Sequence, residues 1–296
     1  MNRKKFGNTS TSGDMRWLLA MIAWWFEFLC CALLHINMFI FRPLLLPPST
    51  LPPMPKWKPA RITRIEQRSP SVRSFWLELP DRDVLDFRPG QFLTLDLPIG
   101  ETRRDGWRSY SIAAAPDGSN QAELCIVRLP EGKGTGYLFE GADIGSEVMT
   151  KEPAGVFTLP EGPLENDIVM ICTGTGVAPF RAMLQDRLGK ETVNFHLIFG
   201  CRTAQDILYR EEFEEMARAH PNFTYSVALS REETEGSASI EVTKGYVHPI
   251  YEEKYAELHS NIRFYLCGWA VMVDEAKERL LKLGYPKEQI IEELYG

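Results

Sequence analysis

Arg108-Ser109-Tyr110-Ser111 is the stretch on which the reading of this chain turns. In a strand, side chains alternate between faces. Arg108 and Tyr110 then share one face and Ser109 and Ser111 the other, with Ser111 close to the edge of whatever Tyr110 covers. A guanidinium meets phosphate oxygens bidentately, a phenol ring stacks on a flat heterocycle, and a serine hydroxyl exchanges a hydrogen bond with a ring nitrogen. A flavin nucleotide is the ligand this combination suggests. A polar edge strand, with Arg108 solvated and Tyr110 packed, is the alternative that four residues alone leave open.

The flanking sequence supplies the frame. Residues 74–79, 91–97, 108–113 and 122–129 are β-rich or alternating runs, parted by turn signals at Arg88-Pro89-Gly90 and Pro116-Asp117-Gly118. Short strands repeated in this way predict a small antiparallel β-barrel over residues 60–162. After Gly162 the pattern becomes strand then helix: strands at 167–172, 193–199, 223–229 and 263–267, the first leading into Gly174–Pro179 and a helix to Leu188, with further helices over 211–219 and 271–283. That alternation predicts an α/β domain, a doubly wound parallel sheet, over residues 163–296, with ligands held beyond the strand C-termini.

Three strand ends carry candidate chemistry. At Gly174-Thr175-Gly176-Val177-Ala178-Pro179, glycines let the backbone approach a ligand and the following helix start offers amides to a pyrophosphate, although a plain strand-to-helix turn reads the same way. Arg202, with Ser230 and Arg231 at the next strand end, could bind an extra phosphate, solvated surface arginines being the default. Cys267-Gly268 closes the last of these strands, where a buried cysteine is ordinarily a small core residue.

Composition sets the outer limits. A chain of 296 residues with 44% hydrophobic and 25% charged residues is globular and long enough for two domains. Residues 1–59 hold seven Lys/Arg against Asp14 and Glu27, leaving the remainder at a formal charge of -12, which disfavours nucleic acid as a partner. The six cysteines form no C-x-x-C pair, so they suggest no metal site, cluster or disulfide framework, and a reducing compartment fits.

Residues 15–41 are apolar enough for an N-terminal hydrophobic helix and follow Arg3, Lys4 and Lys5. Glu27 and His35 count against a span, and a helix lying on the membrane or packed on a partner protein stays open beside it. Seven prolines between Arg42 and Pro59 form a stiff linker, so residues 1–59 read as anchor and linker ahead of a body facing the cytoplasm.

Together these features resemble the ferredoxin-NADP reductase superfamily, over about residues 60–296 and in order. The family's Arg-x-Tyr-Ser flavin motif is matched by Arg108, Tyr110 and Ser111. Its second flavin motif is similar to Gly132-Lys133-Gly134-Thr135-Gly136-Tyr137-Leu138, Thr135 being implied to cap a helix at the pyrophosphate. Pro153 and Gly155 match its Pro-x-Gly, Gly174, Gly176 and Pro179 its nucleotide motif, and Cys267-Gly268 its Cys-Gly near the nicotinamide.

The resemblance implies FAD on the barrel and NADP, or alternatively NAD, on the second domain. Hydride would pass from nicotinamide to flavin, with Ser111 on the receiving ring nitrogen, Cys267 pressing the nicotinamide into place and Tyr110 stacked on the flavin. Electrons would leave for a separate ferredoxin, flavodoxin, or membrane oxygenase or desaturase. Ser230 to Glu233 is similar to the stretch that reads a 2'-phosphate in NADP users, with Lys244 and Tyr246 as its partners, while Asp206 would suit NADH.

Two departures stand out. Val273, beside Asp274, replaces the glutamate expected after Cys-Gly, and Tyr295 is followed by Gly296 instead of ending the chain. Tyr295 either stacks on the flavin or belongs to a frayed tail. A non-catalytic flavin-binding docking or sensor subunit is the alternative from another class, and the hydride-site groups argue against it.

Overall fold

The structure is a computed structural model that describes residues 56–232 and 240–295. The predicted helix at 15–41, most of the linker, Glu233 and Gly296 lie outside these residues. The described residues belong to one compact unit, Pro55–Gly296. Among the described residues no helix is long and apolar enough to cross a membrane.

Six antiparallel strands make the first sheet: β1 (Lys58–Ser69), β2 (Val72–Glu78), β3 (Phe92–Asp96), β4 (Trp107–Ser111), β5 (Gln121–Val127) and β6 (Glu147–Thr150), in the order β4-β3-β6-β1-β2-β5. Strand β1 carries two register shifts, between Ile62 and Arg64 and between Gln67 and Ser69. Such irregularities bend and twist a strand, which a sheet needs in order to curl. The curl closes where Ile112 bridges Leu124, so the predicted barrel is present. Its interior is packed by Ile62, Phe75, Leu77, Leu93, Leu95, Ile112 and Leu124, all at most 1% exposed. A four-residue helix α1 (Lys133–Gly136) passes into a wider turn at Tyr137–Gly141.

The second sheet is parallel throughout: β7 (Asp167–Thr173), β8 (Phe195–Cys201), β9 (Phe223–Leu229), β10 (Glu241–Lys244), β11 (Ile262–Trp269) and β12 (Ile290–Tyr295), ordered β10-β9-β8-β7-β11-β12. Helices α2 (Val177–Arg187), α3 (Arg210–Ala219), α4 (His248–Lys254) and α5 (Ala270–Leu283) connect the strands. Strands β7 and β8 are buried almost end to end, as expected of a sheet covered on both faces. Met170, Cys172, Leu197 and Cys267 pack on one face, Val169, Ile171, Ile198 and Leu266 on the other.

The strand order reverses between β7 and β11. Beyond their carboxyl ends lies the crevice where doubly wound sheets hold ligands. Glycine is needed here for space: a Cβ on Gly176 would come 2.4 Å from the Cys267 carbonyl oxygen. The turns after β7 and β11 therefore touch, and two of the three candidate strand ends meet. The barrel joins the same core, because Val72, Ala113 and Cys125 pack in one cluster with Phe180 and Tyr209.

Candidate active site

The barrel and the parallel sheet meet at Ser111. It closes β4 opposite Phe92 and is 6% exposed. On the other side stands β12, which pairs with β11 so that Cys267, Gly268 and Trp269 face Glu293, Leu294 and Tyr295. Alternation along β12 turns Glu293 and Tyr295 to one side and leaves Leu294 half in solvent. The Tyr295 hydroxyl donates to Ser111 Oγ at 2.5 Å, and Ser111 Oγ donates to Glu293 Oε2 at 3.2 Å. Tyr295 thus ends a paired strand, which removes the frayed-tail alternative.

Electrostatics here favour neutral forms. Burial raises the Glu293 carboxyl above the ordinary glutamate value, the bond from Ser111 opposing it. Burial likewise pushes the Cys267 thiol well above its usual range, with Glu293 adding to the shift. Cys267 is therefore a neutral thiol, suited to shaping a surface and not to nucleophilic attack.

On the flavin-motif side, Arg108 and Tyr110 share a face of β4 as predicted. Arg108 donates to the carbonyls of Asp105 (3.0 Å) and Trp107 (2.7 Å). A Cβ on Gly134 would fall 2.9 Å from Arg108 Cγ, so the two sequence motifs lie against each other. Tyr110 packs on the barrel core, and burial pushes its phenol up to about 12.

Thr135 departs from expectation. Gly132 holds the N-cap position of α1, and Thr135, third in the helix, accepts from the Leu129 amide (3.1 Å) and donates to the Gly132 carbonyl (3.1 Å). Its hydroxyl fastens the loop before the helix and caps nothing, because it sits inside the turn it was expected to precede.

At the nucleotide turn, Gly174 adopts φ +53, a left-handed backbone natural to glycine, and Pro179 lies in the first turn of α2, where no amide is needed. The fit of a nicotinamide can be tested on Thr173. Its hydroxyl is buried without a hydrogen-bond partner, and a Cβ on Gly268 would come 2.6 Å from it. A buried hydroxyl facing the Cys267-Gly268 turn is a place for a ligand's polar group. For FAD, the Gly134 approach to Arg108 and the hydroxyl pair Ser111–Tyr295 supply the cradle. The residues present fit both groups.

The pattern for the oxidoreductase FAD-binding domain matches residues 59–159, and that for the oxidoreductase NAD-binding domain residues 170–278. Over 245 residues the chain is 34% identical to ferredoxin-NADP reductase B of Sorangium cellulosum, covering 80% of this chain and 96% of that one. The chain belongs to the ferredoxin-NADP reductase superfamily. It is an NAD(P)H-dependent FAD oxidoreductase, and the barrel and parallel sheet are its FAD and nicotinamide nucleotide domains.

The reductase component of propane 2-monooxygenase from Rhodococcus jostii is 33% identical over 78% of this chain, which spans 61% of that protein's length. The crystal structure of the Amycolatopsis cytochrome P450 reductase superposes with a TM-score of 0.71 at 26% identity, covering 81% of this chain and 70% of that one.

Sequence reasoning about this reductase missed Glu293. Val273 is fully buried in the core and Asp274 is exposed, so neither brings a carboxylate to the flavin side. The acid arrives from β12. Ile290 and Ile291 followed by Glu293 and Tyr295 at alternate positions was the available signal.

The far end of the crevice carries the second set of candidate residues. Arg202 and Arg231 are exposed, joined by a bond from the Arg231 amide to the Arg202 carbonyl (2.9 Å). Ser230 turns its hydroxyl onto the Cys201 carbonyl at 3.3 Å. Asp206 accepts from the Thr203 hydroxyl (2.8 Å) and amide (3.2 Å), and Glu232 accepts from the Ala204 amide (2.8 Å). Lys244 ends β10 alongside Leu229, and Tyr246 nearby is 72% exposed.

Proposed function

We propose that this reductase takes hydride from NADPH in preference to NADH and passes electrons to a separate redox protein. Residues 60–162 act as the flavin domain and 163–296 as the nucleotide domain. Bound FAD and nicotinamide supply the hydride acceptor and donor. Ser111 holds the flavin ring edge, Tyr110 lies against the ring, and Arg108 with Gly134 takes the pyrophosphate. Gly174, Gly176 and Pro179 shape the nucleotide turn, and Cys267 with Gly268 forms the wall behind the nicotinamide.

Tyr295 covers the site from β12 and excludes water. Glu293 Oε2 accepts the Ser111 hydroxyl, and burial raises its carboxyl above the ordinary glutamate value, which places an acid–base group beside Ser111 Oγ. The observation that carries this reading is the meeting of Ser111, Glu293 and Tyr295 beside Cys267 at the sheet's switch point.

Preference for NADPH rests on the exposed side chains of Arg202 and Arg231, with Ser230 fastening their loop and Tyr246 close by. Asp206, the residue that argues for NADH, is occupied by Thr203. The acceptor is a ferredoxin, flavodoxin or oxygenase component, the last in keeping with the name of the propane 2-monooxygenase relative. Residues 60–296 work on the cytoplasmic side, with 15–41 as the candidate anchor, membrane-spanning or membrane-lying.

The test is to mix the NADPH-reduced protein with a ferredoxin, a flavodoxin and an oxygenase component, and to follow reoxidation. Transfer to one within milliseconds supports the reading. Reoxidation only by dissolved oxygen sinks the separate acceptor.

A further inference from the structure

A buried ionic cluster lies between the barrel and the parallel sheet, outside the site described above. Glu123, on β5, has a side chain only 3% exposed. It accepts from Arg181 of α2 at 2.8 Å, from the Ser74 hydroxyl at 2.7 Å, from the Tyr209 hydroxyl at 2.8 Å and from Arg68 at 3.2 Å. Arg181 also donates to the Ala113 carbonyl (2.8 Å) and to Glu212 of α3 (2.7 Å). The ring of Tyr209 lies between two guanidinium groups, Arg181 at 4.2 Å and Arg68 at 5.0 Å.

The backbone is bent to make this cluster. Tyr209, immediately ahead of α3, holds φ 55, and among the described residues it alone is a non-glycine with positive φ. A left-handed tyrosine persists only when surrounding contacts over-determine it. Here the contacts are the hydroxyl bond to Glu123 and the two cation–ring stacks.

A buried ion pair is a poor source of stability, since desolvation consumes much of its Coulomb gain, but its directional bonds fix geometry. The geometry fixed here spans both halves of the active site. Ala113 is two residues beyond Ser111, and Arg181 belongs to the helix that begins directly after the Gly174–Gly176 turn. One guanidinium therefore ties the strand carrying the flavin contact to the helix carrying the nucleotide turn.

We propose that Arg181, Glu123 and Tyr209 are positioning residues that set the angle between the two domains, and with it the approach of the nicotinamide to the flavin. Arg181 and Glu123 are buried, their side chains 11% and 3% exposed, and they act through Ser111 and the Gly174–Gly176 turn. This rests on hydride passing between the domains. Bleaching of the unaltered protein by NADPH tests that premise separately from the comparison of variants.

The experiment compares the unaltered holoenzyme with Arg181→Lys, Tyr209→Phe and the double replacement Glu123→Leu/Arg181→Met. The double replacement removes both charges of the pair together, so neither is left buried alone, while the Ser74 and Tyr209 hydroxyls lose their acceptor and some stability with it. Anaerobic stopped-flow would read the hydride-transfer rate and the long-wavelength charge-transfer absorbance of the stacked rings. Titration would read NADP+ affinity, and thermal melting the fold.

A misplacement of about 1 Å slows such chemistry about 10²-fold. The expected result for the double replacement is a loss of that order and a weakened charge-transfer band, with FAD and NADP+ affinity retained and a lowered melting temperature that still leaves the protein folded at the assay temperature. Arg181→Lys should recover part of the rate, and Tyr209→Phe should lose less than the double replacement. Hydride transfer within threefold of the unaltered protein in the double replacement would overturn the proposal. So would a rate that falls only in step with NADP+ affinity. If the double replacement does not fold, Tyr209→Phe decides: an unchanged rate and band overturn the proposal.

Discussion

The two ends of the coenzyme crevice are built in opposite ways. At the flavin end, Ser111, Glu293 and Tyr295 bond to one another and Cys267 is fully buried behind them. At the other end, Arg202 and Arg231 are exposed, and among the described residues the bond between them is one of backbone to backbone. Chemistry needs the first arrangement, because a group misplaced by a fraction of a bond length loses its effect on the transition state. Recognition of a phosphate tolerates the second, since a guanidinium on a long stem can reach its partner on binding. Changes at the first end should therefore strike the rate, and changes at the second should strike affinity.

The largest effect is expected for Ser111→Ala. Losing one pre-placed hydrogen bond at a reacting edge costs about 10² in rate. Anaerobic reduction should slow by that order with FAD still bound, and equal rates would show that the flavin end is not the chemical one. At the other end, Arg231→Ala should raise the NADPH KM about tenfold, the worth of one charge-assisted bond, with kcat and the NADH KM unchanged. A fall in kcat of similar size would erase the division between the ends.

Glu293→Gln sharpens the account of burial. The folded carboxyl is raised above the 4.5 of an ordinary glutamate, so its contribution to stability is complete below that value and is lost as pH rises through the folded pKa. The glutamine variant lacks this loss. Its melting temperature should gain on the unaltered protein as pH goes from 4 to 7, and parallel melting curves would contradict the raised carboxyl. The smallest effect is expected for Asp206→Ala. Because Asp206 is engaged by Thr203, the ratio of NADPH to NADH use should stay within about twofold, with a local helix-cap loss of about 1 kcal/mol.

Much of this was legible in the sequence, for identifiable reasons. Strands with alternating or continuous apolar residues, such as 72–78 and 167–173, declared themselves locally. Strand β1 did not, because its charged residues Arg61, Arg64, Glu66 and Arg68 mask the inward Ala60 and Ile62. Strands β6 and β10 have four residues each, too few to show a period. The end of helix α2 was placed to within one residue, and α4 was missed as a single short segment.

The site residues were found where a motif is contiguous, as at 108–111 and 267–268. Glu293 was missed because it reaches Ser111 across 182 residues of chain, through a strand pairing that no local pattern records. The same holds for Arg181 and Glu123, whose partnership exists only once the two domains are side by side. Thr135 shows the reverse error. The family resemblance implied a cap at Thr135, yet its neighbours use its hydroxyl to close a loop.

Anaerobic stopped-flow reduction of the FAD-loaded protein, with NADPH and then with NADH, tests the central claim most directly. The account predicts rapid bleaching of the flavin by NADPH and a slower or weaker response to NADH, with a charge-transfer band before bleaching. A bound flavin that neither coenzyme reduces would contradict it, and would return the chain to the reading of a docking or sensor subunit.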